Sequence, residues 1–247
     1  LAQWLTDNAL TRLAASTFVH LLSTVFLRDA SDARLTRLAG SIDHRFIGPM
    51  KQALRQGGAQ IVSLTHWPTL QFGQTGVSEV RLHDDTRLRA DRYIIALSHQ
   101  NLLQLLPERL LTRYAYFAQL TELQSLSEVV IQLTYPTTKP RPRLLLLPGR
   151  PFHQLTSTSH ESGDIEYRLS AVGNRLTELN NDQVVEAAQT EMGELFSGTA
   201  REDMIAQSVF HENHAALLLT PGAAQLRPLQ QSPIQNLFVT GAWTDTG

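Results

Sequence analysis

The residues most able to do chemistry lie at the end of the chain. Leu237-Phe238-Val239 is an apolar stretch that reads as the core of a strand, and Gly241 follows it closely. A glycine there has no side chain, so the backbone can come close to a planar ligand. Trp243 offers a flat face, while Thr244 and Thr246 offer hydroxyls. The end of a strand followed by glycine and polar groups is where open α/β sheets bind cofactors. The same residues also suit a plain strand-to-loop turn with a packed tryptophan, and the local sequence leaves both readings open. Ala96 is a small residue at the end of another apolar stretch and suits close approach of a ligand, although small residues at strand ends are common. Trp67-Pro68 reads as a ligand contact or as a packed loop corner.

Other chemistries find less support. His211 and His214 form a His-x-x-His pair, but no third ligand stands at a metal-site spacing, so no metal is expected. Asp84-Asp85 reads as a hairpin turn before it reads as a carboxylate pair. His66, His83, His99, His153 and His160 read as loop or turn residues. No Gly-x-Ser-x-Gly elbow is present for a serine hydrolase. The absence of cysteine excludes disulfides, thiolate metal sites and a cysteine nucleophile. The net charge of −2 shows no basic face for a nucleic-acid partner. No apolar run approaches the roughly 20 residues that cross a bilayer.

The elements that would position these residues mix helices with hairpins. Leu13, Phe18, Leu21, Leu22 and Phe26 recur at helical spacing within residues 1–40. An Ile47-Gly48-Pro49 turn is expected to open a helix over Met50–Gln56, which Gly57-Gly58 stops. Strands are expected at Ile61–Leu64, Thr69–Phe72, Val77–Leu82 and Arg87–Arg89, the last two as a hairpin around His83-Asp84-Asp85. Ala90–Leu97 reads as a buried strand running into a helix over Gln100–Leu106. Further strands are expected at Val129–Leu133, Leu144–Leu147, Asp164–Val172, Ile205–His211 and Asn236–Gly241, with an amphipathic helix over Asp182–Phe196. The leucines from Leu102 to Leu111 could line an apolar tunnel, but ordinary core is the better reading. This order predicts α+β packing attached to an α/β core.

Residues 35–49 followed by Gly57-Gly58 resemble the plant- and cyanobacterial-type phytoene and ζ-carotene desaturases, and also the squalene-associated FAD desaturases. Ala90-Asp91-Arg92-Tyr93-Ile94-Ile95-Ala96-Leu97 with Leu105-Leu106-Pro107, and Ser127–Leu133, are similar to further segments of that family. Ser232–Gly247 resembles its C-terminal flavin motif, Asn-Leu-Phe-x-x-Gly-Asp-Trp-Thr-x-Thr-Gly. The matches cover nearly the whole chain, in order. Three departures stand out. There is no Gly-x-Gly-x-x-Gly, Ala242 takes the place of an acidic residue, and Ser98 stands where many relatives have proline.

The resemblance implies part of an FAD-binding, Rossmann-like amine-oxidase fold with a substrate domain of mixed sheet and helices. The expected division is 1–50 (helical part of the substrate domain), 51–106 (FAD-domain segment), 107–210 (substrate domain) and 211–247 (return to the FAD domain). The chain is expected to be a fragment without its N-terminal nucleotide-binding motif, inactive by itself. FAD is the implied cofactor, with Trp67, Ala96, Gly241, Ala242, Trp243 and Thr244 as implied contacts and no catalytic side chain named. The implied activity is desaturation or dehydrogenation of a long apolar isoprenoid, such as a carotenoid precursor or squalene derivative. A cytoplasmic location with peripheral membrane contact is implied with it. The alternatives are a flavin amine oxidase acting on a polar amine, with Trp243 as half of an aromatic pair, and a degenerate flavoprotein module without turnover.

Overall fold

The computed structural model describes residues 9, 11–29, 42–136, 143–160, 162–196 and 201–245. In chain order the helices and strands are α1 (Ala15–Leu22), α2 (Gly48–Gln56), β1 (Thr69–Phe72), β2 (Val77–Arg81), β3 (Arg87–Leu88) and β4 (Tyr93–Ile95). There follow α3 (His99–Leu105), α4 (Glu108–Arg113), α5 (Ala115–Ala118), β5 (Ser125–Tyr135), β6 (Leu144–Leu146), β7 (Gln154–Ser159) and β8 (Ile165–Val172). The last are α6 (Asn181–Leu195), β9 (Ala206–Leu217) and β10 (Leu237–Val239). This is the mixed α+β and α/β arrangement expected from the sequence.

The chain divides into two compact units. One contains residues 1–61 and 126–216, the other residues 62–125 and 217–247. In the first, five strands lie in the order β6-β7-β8-β5-β9. β5 and β8 run antiparallel over a long register, from Glu128 opposite Val172 to Tyr135 opposite Ile165. Alternate residues of these strands (Val129, Ile131, Leu133 and Tyr135 on β5; Ile165, Tyr167, Leu169 and Ala171 on β8) share one core with α6. That alternation is the period-two signature of a face turned inward. Helix α6 contributes Val184, Val185, Ala188 and Met192. A reciprocal capping box starts it: the Asn180 side chain accepts from the Gln183 N–H, and the Gln183 side chain accepts from the Asn180 N–H.

In the second unit, β1, β2 and β3 form an antiparallel sheet, and β4 and β10 form a parallel pair. Val77, Tyr93, Ile95, Leu102, Leu106, Leu110, Phe117, Leu237, Val239 and Trp243 belong to one core. The leucines of α3 and α4 therefore pack as core.

Several expectations need correction. Ile61–Leu64 is not a strand: it pairs with nothing among the described residues, and its side chains are exposed. A β-branched run is no strand without a partner to hydrogen-bond. The Ile47–Pro49 segment does not break the helical path, which runs from Asp43 straight into α2. Gly58 does adopt a left-handed φ of 84°, as a helix stop requires. β7 was not foreseen, and β5 and β9 are longer than expected. Residues 137–142 of the proline-rich loop, and residues 1–8, 10 and 30–41, lie outside the described residues. Among the described residues, no helix is long and apolar enough to cross a membrane.

Candidate functional site

β4 and β10 form the platform of the site. Leu237, Phe238 and Val239 lie beside Tyr93, Ile94 and Ile95 in parallel register. Tyr93, Ile95, Leu237 and Val239 turn into the core, which leaves Ile94 and Phe238 on the other face. The Tyr93 N–H donates to the Asn236 carbonyl (2.8 Å), and the Thr240 N–H to the Ile95 carbonyl (2.9 Å), so both ends of the pair are fixed. Asn236 also clamps β2: its side-chain oxygen accepts from the Val77 N–H (2.9 Å), and its amide donates to the Val77 carbonyl (2.8 Å).

Both strands end, at their carboxyl ends, in small and exposed residues, Ala96 after β4 and Gly241-Ala242 after β10. The turn beneath them is tied from several sides. The Thr244 hydroxyl and N–H both donate to the Gly241 carbonyl, at 2.8 and 3.0 Å. The Arg227 guanidinium donates to the Thr244 carbonyl, and the Asp245 N–H donates to Pro228. Thr244 is fully buried and Trp243 is 4% exposed. The Trp243 indole N–H donates to the Leu97 carbonyl (2.7 Å), which fastens the β10 turn to the end of β4. The ring also lies tilted against His99, at 6.3 Å between centroids.

Of the six residues expected from sequence, five therefore come together: Ala96, Gly241, Ala242, Trp243 and Thr244. Only the first three face outward; Trp243 and Thr244 hold the turn from within. Trp67 stands elsewhere in the unit, exposed just ahead of β1. Gly241 has an internal role as well. Its φ is 156°, and an added Cβ would lie 2.6 Å from the Trp243 indole nitrogen. The glycine is thus required by the way the indole folds back over it.

Sequence reasoning missed three contributors. His99 reads as a loop residue but is buried at the start of α3, with its Nε2 2.9 Å from the Leu123 carbonyl. Ser98 caps that helix, its hydroxyl accepting from the Asn101 N–H. Arg227 carries no local motif that marks it, because its partner lies 17 residues away. His153 is also buried, against expectation, and burial pushes its imidazole below the usual histidine range. His211 and His214 lie on β9, so at a spacing of three they point to opposite faces.

The turn fits a planar cofactor in two respects. Its outward residues have no bulk, and none of the described residues accepts a hydrogen bond from the exposed Gly241 or Ala242 N–H. The carboxyl ends of parallel strands are where open α/β sheets hold their ligands. A family model described as flavin containing amine oxidoreductase matches residues 47–247, and the chain belongs to that family. ζ-Carotene desaturase of Arabidopsis thaliana is 22% identical over 256 residues, covering 90% of this chain and 45% of that protein. The chain thus spans about half the length of the curated relative it matches. Among solved structures, a putrescine oxidase variant aligns with a TM-score of 0.54 at 12% identity, over 78% of this chain and 46% of that one. An oxidoreductase from Methanosarcina mazei aligns at 0.52 and 18%, over 71% and 43% respectively. These likenesses identify the fold as that of the amine oxidases.

Proposed function

We propose that the chain is part of an FAD-dependent oxidoreductase and contributes one wall of the flavin site. Ala96, Gly241 and Ala242 would lie against the cofactor. A bound flavin supplies hydride acceptance, which no side chain can. The chain's own part is to position and to exclude water. The Trp243–Leu97 hydrogen bond locks the ends of β4 and β10 together, while Arg227 and Thr244 hold the turn that carries Gly241 and Ala242. The observation that carries this reading is the meeting of three small exposed residues at the carboxyl ends of two parallel strands.

For the substrate we favour a long apolar isoprenoid undergoing dehydrogenation. The likeness to ζ-carotene desaturase supports it. The amine-oxidase alternative made Trp243 half of an aromatic pair facing the flavin. Its burial against Leu97 and His99 leaves that pair without this residue. An isoprenoid dissolves in bilayers, so we extend the proposal to peripheral membrane contact.

The test uses protein expressed from the full reading frame that contains this chain. It should purify with paired near-ultraviolet and blue flavin bands. Ala96→Trp and Ala242→Trp, at exposed positions, should keep the circular dichroism and lower flavin affinity by at least about tenfold, or 1.4 kcal/mol. Full flavin occupancy in both variants would remove the site from this turn. Reduction of the flavin by a polyamine, and by no carotenoid precursor, would transfer the function to amine oxidation.

A further inference from the structure

On the antiparallel sheet of the second unit, side chains two residues apart share a face. Register places Thr69 opposite Arg81, Gln71 opposite Glu79 and Arg81 opposite Arg87. Glu79, Arg81, Arg87 and Arg89 consequently converge on one polar side. Glu79 is nearly buried, its side chain 9% exposed. Arg89 satisfies its charge, donating from Nε and Nη2 to Oε2 at 3.2 Å each. Arg81 and Arg87 stand 3.8 Å from the other carboxylate oxygen, outside hydrogen-bond range.

Three guanidinium groups thus meet one carboxylate, and two positive charges are left over. Arg81 and Arg87 face each other directly across two strands, an arrangement that costs stability when the charges are alike. The Arg81 Nε is buried with no hydrogen-bond partner among the described residues. The side chains of Arg87 and Arg89 remain largely open to solvent. Asp84, in the turn between β2 and β3, is already engaged by the Thr86 N–H. Leu88 emerges on the opposite face from the arginines, since it lies between Arg87 and Arg89 on an extended segment.

The geometry points to an anion site: we infer that Arg81 and Arg87, positioned by Glu79 and Arg89, bind a phosphate group. Guanidinium forks match phosphate oxygens in pairs, and a dianion relieves the repulsion of the facing arginines. The phosphate could belong to a soluble phosphate ester or to a lipid headgroup. The site is independent of the flavin reading, because none of these residues takes part in the turn after β10.

The test measures binding of inorganic phosphate and glycerol phosphate by calorimetry, with chloride holding the ionic strength constant. Co-sedimentation with phosphatidic acid vesicles, against phosphatidylcholine vesicles, runs in parallel. Wild type should bind in at least one arm, and Arg81→Gln/Arg87→Gln should weaken that binding by at least about tenfold. Retention on the anionic vesicles alone assigns the phosphate to a headgroup; binding of the soluble anions assigns it to an ester in solution. A second readout separates ligand binding from structure. With the repulsion gone, the unliganded Arg87→Gln variant should melt at or above the wild-type temperature. Equal binding by wild type and double variant, absence of binding in both arms, or a lower melting temperature for Arg87→Gln overturns the inference.

Discussion

Replacing Gly241 by alanine tests how the β10 turn is built. An added Cβ would lie 2.6 Å from the Trp243 Nε1 and 2.9 Å from Cδ1, where ordinary contact begins at 3.4 Å. The indole must therefore retreat by about 0.8 Å from the closer contact. Its hydrogen bond to the Leu97 carbonyl, 2.7 Å in the native turn, then stretches to the limit of hydrogen bonding. Leaving a buried donor and acceptor unmade costs about 1–3 kcal/mol. The positive φ adds strain of about 1 kcal/mol for a residue with a Cβ. The sum, about 2–4 kcal/mol, should lower the melting temperature by roughly 5–15 °C in a chain of this size. A double-mutant cycle with Trp243→Phe isolates the contact, because the phenyl ring lacks the crowded Nε1 corner. Urea denaturation of the four proteins should give a coupling of at least about 1 kcal/mol, with the double variant less damaged than the two singles added together. Additive costs, or a Gly241→Ala variant with unchanged melting, would refute the reasoning.

Other parts of the structure give further expectations. Asn236→Ala removes both hydrogen bonds to the Val77 backbone and should cost about 2–3 kcal/mol in urea denaturation; a loss below 0.5 would show that water replaces the clamp. Arg150 joins Glu191 (2.7 Å) and Glu194 (2.9 Å), and Glu191 is buried. Arg150→Met should therefore destabilise by about 2–3 kcal/mol, and adding Glu191→Gln should recover part of the loss; no recovery would mean that the buried charge is not the cause. His153 has a folded pKa below its ordinary 6.5, so the unfolded chain binds its proton more readily. Its neutral, buried form contributes stability above pH 6.5 that is lost as the pH falls through the lowered folded value. His153→Gln should flatten the acid side of a plot of urea midpoint against pH, and identical slopes in both proteins would rule the residue out.

Local patterns made much of the fold legible. The strands of the β4–β10 pair show as short apolar runs, and α6 shows as an amphipathic helix. The small residues at the end of the pair were also visible, because they are contiguous with those runs. What was not legible depends on partners distant in sequence. β7 reads Gln154-Leu155-Thr156-Ser157-Thr158-Ser159, with one large apolar side chain, and it forms because β6 and β8 flank it. Ile61–Leu64 has strand-like residues and lacks a partner. The indole of Trp243 has the same flat face whether it meets a ligand or Leu97, and only the tertiary contact chooses between them. The arginine cluster was partly within reach: Glu79, Arg81, Arg87 and Arg89 alternate on either side of a recognisable turn. Pairing across that turn would have placed them on one face, but their distances require the register.

β9 is twelve residues long, lies last in the order of its sheet and keeps most of its side chains exposed. Among the described residues no strand is paired on its outer side, and such an edge is a template onto which another extended chain can add. Phe210, 55% exposed, would strengthen such pairing. His211, Glu212 and His214 stand next to it as polar gatekeepers, a common defence of sheet edges against association. Neutralising Glu212 would weaken that defence, and self-association of the protein in concentrated solution would then begin along this strand.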